Sequence, residues 1–187
     1  ALDPDFSAPH AIIARTYSRS IVTELPENLE EQCKLALEEA KIAVALDRDD
    51  AFAHASLGFA QLWTDADASI RAFEEALSIN LNLAIAHFGI GLAFMSGRQP
   101  ETAISHLETA IQLSPRDPMS DAFFFEMGTA YFALGDYEAC LEWSSKSGFD
   151  ISFYGRTGTV RMAALALLGH ESETKQIREI LMNKYPH

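Results

Sequence analysis

"AIAHFGIGLAFM", residues 84–95, contains a Gly-x-Gly and a histidine but no charged side chain. Its meaning depends on whether the stretch stands alone, and it does not. Residues 51–62 read "AFAHASLGFAQL", so the pattern Ala-x-Ala-His-x-x-apolar-Gly-x-Ala recurs 33 residues earlier. The same offsets return in "FSAPHAIIARTY" (6–17) through His10, Ile13, Ala14 and Tyr17. They return again in "FFEMGTAY" (124–131) through Phe124, Met127, Gly128 and Tyr131, and more weakly in "GTVRMAAL" (158–165). A dinucleotide loop would need a third glycine and a strand-to-helix turn, whereas "GIGLAF" lies inside a helical pattern.

Each copy is followed by a second helical pattern: "LALEEAKIAVALDRD", "SIRAFEEALSINLN", "AISHLETAIQLSPRD", "CLEWSSKSGFD" and "TKQIREILMNKYP". Every unit therefore reads as a helix pair, and the chain resembles the tetratricopeptide repeat, whose signature is W-x2-L-G-x2-Y…A-x3-F…P at a period of about 34. The large-residue slot holds His10, His54, His87, Phe124 and Gly158, and the glycine slot holds Ala14, Gly58, Gly91, Gly128 and Met162. The second-helix signature maps onto Ala36 with Ala40, Ser69 with Phe73, Ala103 with Leu107, Cys140 with Ser144 and Thr174 with Arg178. The closing proline is kept as Pro115 and Pro186. The resemblance implies an all-α, right-handed solenoid of about five helix pairs forming one domain, with units near 4–49, 50–82, 83–117, 118–150 and 151–187.

Spacings between glycine-slot residues are 44, 33, 37 and 34, which places about ten extra residues, near "RSIVTELPEN" (19–28), in the first unit. The opening "ALDPDF" matches the end of a unit, as in "VALDRDDAF" (44–52), so the expectation is a domain excised from a longer chain. Capping chemistry agrees with these boundaries: Asn82 is expected to cap a helix from about Leu83, Gly97 to end it and Pro100 to open the next. Asp117-Pro118 and Gly135-Asp136 repeat that logic, and Asn28 with Glu31 reads as a capping box. The glycine slot answers a packing need, because two helices of a pair cross closely only where one side chain is minimal. Gly91→Leu is thus expected to cost several kcal/mol.

Composition narrows the function classes. The 187 residues are 48% hydrophobic and 22% charged, a globular balance, and no apolar stretch reaches the roughly 20 residues of a membrane span. Fourteen Lys and Arg against 27 Asp and Glu give a net charge of −13, which disfavours nucleic acid. No signal-peptide pattern opens the sequence, and two cysteines, Cys33 and Cys140, are too few for a disulfide framework, so a cytoplasmic setting is expected.

No catalytic constellation is legible. His10, His54 and His87 occupy one repeat slot, and equivalent atoms of successive units lie on the order of 10 Å apart, several times a zinc–nitrogen bond. They read as ring-shaped fillers of the tryptophan slot. Ser172 with Lys175 matches S-x-x-K without the accompanying S-D-N and K-T-G motifs. Paired acids such as Glu38-Glu39 and Glu74-Glu75 fall on the solvated faces of second helices. The expectation is a non-enzymatic chain with no cofactor and no metal.

In tetratricopeptide solenoids the first helices line the concave side, at offsets −6, −3, +1 and +4 from the glycine slot. Here that face holds Arg15 in the first unit and Phe52, Phe59 and Leu62 in the second. Ile85, Phe88, Leu92 and Met95 follow in the third, Phe125, Thr129 and Phe132 in the fourth, and Arg156 in the fifth. The segments at 51–63 and 83–96 bear no charge on any face, and a helix apolar all round must be covered on more than one side. Either these rings fill a tightly wound superhelix, or they form a hydrophobic groove for a peptide or amphipathic helix, with Arg15 or Arg156 meeting acids at its ends. On the second reading, Phe59→Glu and Phe88→Glu should abolish partner retention while leaving helicity intact.

Chaperone-binding relatives place Lys and Asn in these inward slots to clamp a peptide carboxylate. Ala11, Arg15, Ala55, Phe59, Phe88 and Leu92 stand there instead, so a carboxylate-clamped chaperone tail is not expected. The run "SGRQPETAISHLETAIQLSPRDP" (96–118) and the long first unit also resemble tetratricopeptide tails of some bacterial adenylate or guanylate cyclases, which would make the domain regulatory or scaffolding. The functional expectation is a protein-interaction module; the alternative is a self-associating scaffold whose partner is a second copy of the chain.

Overall fold

A computed structural model describes residues 6–23, 28–148 and 155–184. The described residues form ten α-helices and no strand: α1 (Ser7–Thr23), α2 (Leu29–Leu46), α3 (Ala51–Gln61), α4 (Ala66–Ile79), α5 (Ala84–Ser96), α6 (Pro100–Leu113), α7 (Ser120–Leu134), α8 (Tyr137–Lys146), α9 (Gly155–Leu167) and α10 (Glu171–Lys184). The quoted segment is helix α5, and the helix pairs keep the register read from the repeats. The chain divides into two compact units, Ala1–Gln99 and Pro100–His187.

In the first unit α1 packs on α2 and α3 on α4, while α3 touches α1, α2 and α5 and so lies at the centre. Alanines make this close approach possible. Ala14, Ala36, Ala40 and Ala60 form one buried cluster flanked by Tyr17, Leu37 and Leu57, and Ala11, Ala43 and Ala53 form a second flanked by Val44 and Phe52. Part of the first-unit insertion lengthens a helix: α1 has 17 residues, against 11 in α3.

The largest wholly buried side chain of this unit is Phe73, the A-x3-F aromatic of α4. A Cβ on Gly58 would lie 2.8 Å from its ring, and the hydroxyl of Ser69, one turn earlier on α4, donates to the Gly58 carbonyl at 2.8 Å. The minimal residue of the first helix therefore faces the small residue of the second, as the repeat register requires. Gly91 is buried as well.

The second unit follows the same rule. α7 packs on α6 and α8, α8 on α9, and α9 on α10. Leu107, Phe123 and Met127 are fully buried, and a Cβ on Gly128 would lie 3.0 Å from the Cys140 carbonyl and 3.2 Å from Ser144 Cβ.

Helix boundaries agree with the expected chemistry only in part. Asp50, Asp65 and Asp136 cap α3, α4 and α8 by accepting from the backbone N–H of Phe52, Ala68 and Ala139. Gly135 ends α7 in the left-handed conformation at φ 80°, with Asp136 N–H donating to the Tyr131 carbonyl five residues back along the closing turn. Asn82 does not cap α5: Leu83 occupies that position, and Asn80 Oδ1 accepts from Asn82 N–H in the preceding turn. Asp117 likewise builds a turn with Met119 N–H instead of capping α7. Asn28 stands at the N-cap of α2 without a side-chain cap hydrogen bond, so the expected capping box is not formed. Gly97 ends α5 at φ −77°, and the left-handed turn falls on Arg98 at φ 57°.

Candidate partner-binding stripe

In the first unit the stripe is built on α1, α3 and α5. Phe59, two turns after Phe52 on α3, is its hub. The Phe59 ring meets Phe73 edge-on at 4.8 Å between centroids and 83° between planes, and Phe88 of α5 lies 6.5 Å away at 38°. The Arg15 guanidinium of α1 sits over the Phe59 ring, 3.5 Å from its centroid. Burial, with Arg19 nearby, lowers the Arg15 pKa to about 10, still high enough to keep the charge at neutral pH.

Phe59, Leu62 and Phe88 are each no more than 5% exposed. The rings at the middle of the stripe are therefore covered by the chain itself, in part by Arg15. Phe52, Ile85, Leu92 and Met95 are half-buried and carry the apolar surface that remains open. All four lie on helices without a single charge.

In the second unit Phe125 is buried, Thr129 donates to the Phe125 carbonyl at 3.1 Å, and Phe132 is half-buried with its ring 5.5 Å from that of Tyr137. The side chain of Arg156 lies outside the described residues.

The three repeat-slot histidines have separate local roles. His10 Nδ1 pairs with Glu39 Oε2 at 2.7 Å, and His54 Nε2 lies 3.0 Å from the Arg48 carbonyl, to which it donates. Burial lowers the pKa of His87, opposed by a hydrogen bond to the Leu81 backbone. Among the described residues no three His, Cys, Asp or Glu side chains converge on a potential metal position. No described helix is long and apolar enough to cross a membrane.

Two features escape a reading of the repeat alone. A Cβ on Gly89, the first glycine of the Gly-x-Gly, would overlap the Phe73 ring of the preceding helix pair. The signal was present, since Gly89 precedes the glycine slot by two residues and so lies on another face of the helix. The second feature is a cavity behind α3, between α2 and α4.

No family model matches the sequence, and no curated protein matches it. Solved structures do resemble the fold. A structure of Pseudomonas aeruginosa PilF shares 17% identity, covering 98% of this chain and 78% of that one, with a TM-score of 0.70. TPR-like repeats of a Podospora anserina putative kinesin light chain share 15% identity over 98% of both chains, with a TM-score of 0.69. MamA from Desulfovibrio magneticus shares 16% over 94% of both, with a TM-score of 0.61. With helix pairs in the repeat register and these neighbours, the chain is a tetratricopeptide-repeat solenoid in fold.

Proposed function

We propose that the chain is a non-catalytic protein-interaction module that binds a peptide or amphipathic helix along its first-helix stripe. The observation that carries this reading is α5, which has no charged side chain yet leaves Ile85, Leu92 and Met95 only half-buried. Apolar side chains at helical spacing on a rigid scaffold suit an incoming helix with apolar residues at i, i+3 and i+4, and methionine adapts to an imperfect fit. Resemblance to kinesin light chain TPR-like repeats supports an interaction role. Arg15 and Arg19 place positive charge at the α1 edge of the stripe, which favours a partner segment bearing an acid there.

The test is the pair of variants Leu92→Glu and Met95→Glu with a partner obtained on the unsubstituted protein. Retention should fall at least tenfold at unchanged helicity. Equal retention by both variants would refute the stripe.

A second reading has its own observation. Phe6, immediately before α1, and Ile12, in its second turn, are 56% and 57% exposed, a surface suited to a second copy of the chain. Light scattering over a wide concentration range tests it: Ile12→Lys should abolish any dimer, and a monomer throughout excludes self-association.

A further inference from the structure

On the side of α3 away from Phe52 and Phe59 lies a cavity of about 490 Å³ lined by Lys41, Val44, Ala45, Arg48, His54, Leu57 and Glu75. All seven belong to the first unit. Relative to Phe52, His54 and Leu57 project from nearly the opposite side of the helix at 3.6 residues per turn, so this cavity and the stripe are separate surfaces. The cavity is broadly open to solvent, so it takes one end of a ligand rather than enclosing it.

The sequence of α2 makes one wall. Lys41, Val44 and Ala45 follow the spacing i, i+3, i+4 on α2, which sets a cation beside two small apolar side chains, and Arg48 joins them from the turn beyond the helix end, where Asp47 is already extended at φ −143°. Val44 and Leu57 supply the apolar lining. Arg48, just past the end of α2, is fixed from behind because His54 Nε2–H donates to its carbonyl at 3.0 Å. A single acid, Glu75 of α4, stands on the facing wall.

Charge makes this arrangement unusual. The chain has 27 acids to 14 Lys and Arg, yet this cavity has two cations to one acid. Lys41 and Arg48 form no ion pair with a described residue, although two other lysines of the chain pair with glutamates one turn away on their own helices. Two cations left to solvent over an apolar floor complement an amphiphilic anion. A guanidinium takes a carboxylate or phosphate bidentately, an ammonium adds a point charge, and the hydrocarbon lies on Val44 and Leu57.

We propose that this cavity binds an anionic group attached to an apolar body, with Lys41 and Arg48 holding the anion and Glu75 turning it toward the α2 wall. The group belongs either to a free amphiphilic acid or to an acidic side chain of a bound peptide. Octanoate and a capped Leu-Glu-Leu tripeptide, each titrated into the full chain, distinguish these sources, with octanol as the uncharged control. Binding of octanoate identifies a free acid, and binding of the tripeptide alone identifies a peptide side chain.

In either case methyl resonances of Val44 and Leu57 should shift in the unsubstituted protein. Lys41→Ala with Arg48→Ala should weaken binding roughly tenfold or more, the loss expected for a charge-assisted hydrogen bond, and Glu75→Gln should tighten it. Both cations are exposed, so circular dichroism of the double variant should be unchanged. Failure of both acidic probes to bind, octanol binding as well as octanoate, or shifts confined to Leu92 and Met95 would each overturn the proposal.

Discussion

The ring of Phe73 occupies the space that a Cβ on Gly89 would fill, so the first glycine of "GIG" is the seat of an aromatic from the preceding helix pair. The ring cannot swing aside, because Gly58 closes its other side and Phe59 meets it edge-on. Gly89→Ala should therefore destabilise the protein by about 3 kcal/mol, the upper end of overpacking penalties, even though alanine favours a helix by about 1 kcal/mol. Phe73→Leu should restore part of that loss, and thermal melts of the two single variants and the double variant measure the coupling.

Burial changes what substitution at the centre of the stripe tests. Phe59 and Phe88 are 5% and 4% exposed, so a glutamate at either position is a buried charge, and at 59 it also removes the ring on which Arg15 stacks. Phe59→Glu is expected to lower stability by about 3–5 kcal/mol, the cost typical of emptying a buried phenylalanine site, because the ring contacts with Phe73 and Phe88 are lost even where Arg15 pairs with the new carboxylate, and to fail as a surface variant. The expectation that Phe59→Glu and Phe88→Glu spare the fold is thereby replaced by Leu92→Glu and Met95→Glu, which should melt within about 1 kcal/mol of the parent because both positions are half-buried.

Cys140 gives the stability a pH dependence. Burial, the largest cause, raises its thiol pKa from 9.0 to about 11, with Arg161 opposing and Asp136 assisting. A raised acid favours the folded state while both states hold the proton. Its contribution is fully present below pH 9 and is lost as pH rises from about 9 to about 11, amounting to at most about 2–3 kcal/mol. Cys140→Ala should flatten the decline over that window in urea melts at pH 8 to 11. In thiol labelling of the native protein Cys33, which is half-buried, should react before Cys140.

Gly135 and Asp136 make the turn between α7 and α8. Nothing lies within 4 Å of a Cβ on Gly135, so only its φ of 80° resists substitution. Gly135→Ala should cost about 1–2 kcal/mol from the left-handed backbone, and Asp136→Ala about 1 kcal/mol from the lost cap on Ala139 N–H. Denaturant melts of the two variants check both figures.

The helix pairs were legible because a repeated register states the fold several times over. Gly58, Ser69 and Phe73 could be placed from the signature alone. Caps were less legible: Asn82 and Asn28 have the right chemistry, but Leu83 took the cap position of α5, and Asn28 holds that of α2 without a side-chain hydrogen bond. The stripe was legible as a row of side chains but not as an exposed surface, because exposure depends on neighbours such as Arg15, whose stacking on Phe59 no spacing rule encodes. The cavity behind α3 was invisible for a related reason. It draws residues from three helices, and only their packing brings Lys41, Leu57 and Glu75 to one place.

The most direct test of the interaction stripe is selection from a displayed peptide library against the unsubstituted chain, with counter-selection on the Leu92→Glu, Met95→Glu double variant. Enriched peptides should carry apolar residues at i, i+3 and i+4, with an acid toward the α1 edge, and should bind the double variant at least tenfold more weakly. No enrichment, or enriched peptides that bind both proteins equally, would contradict the account.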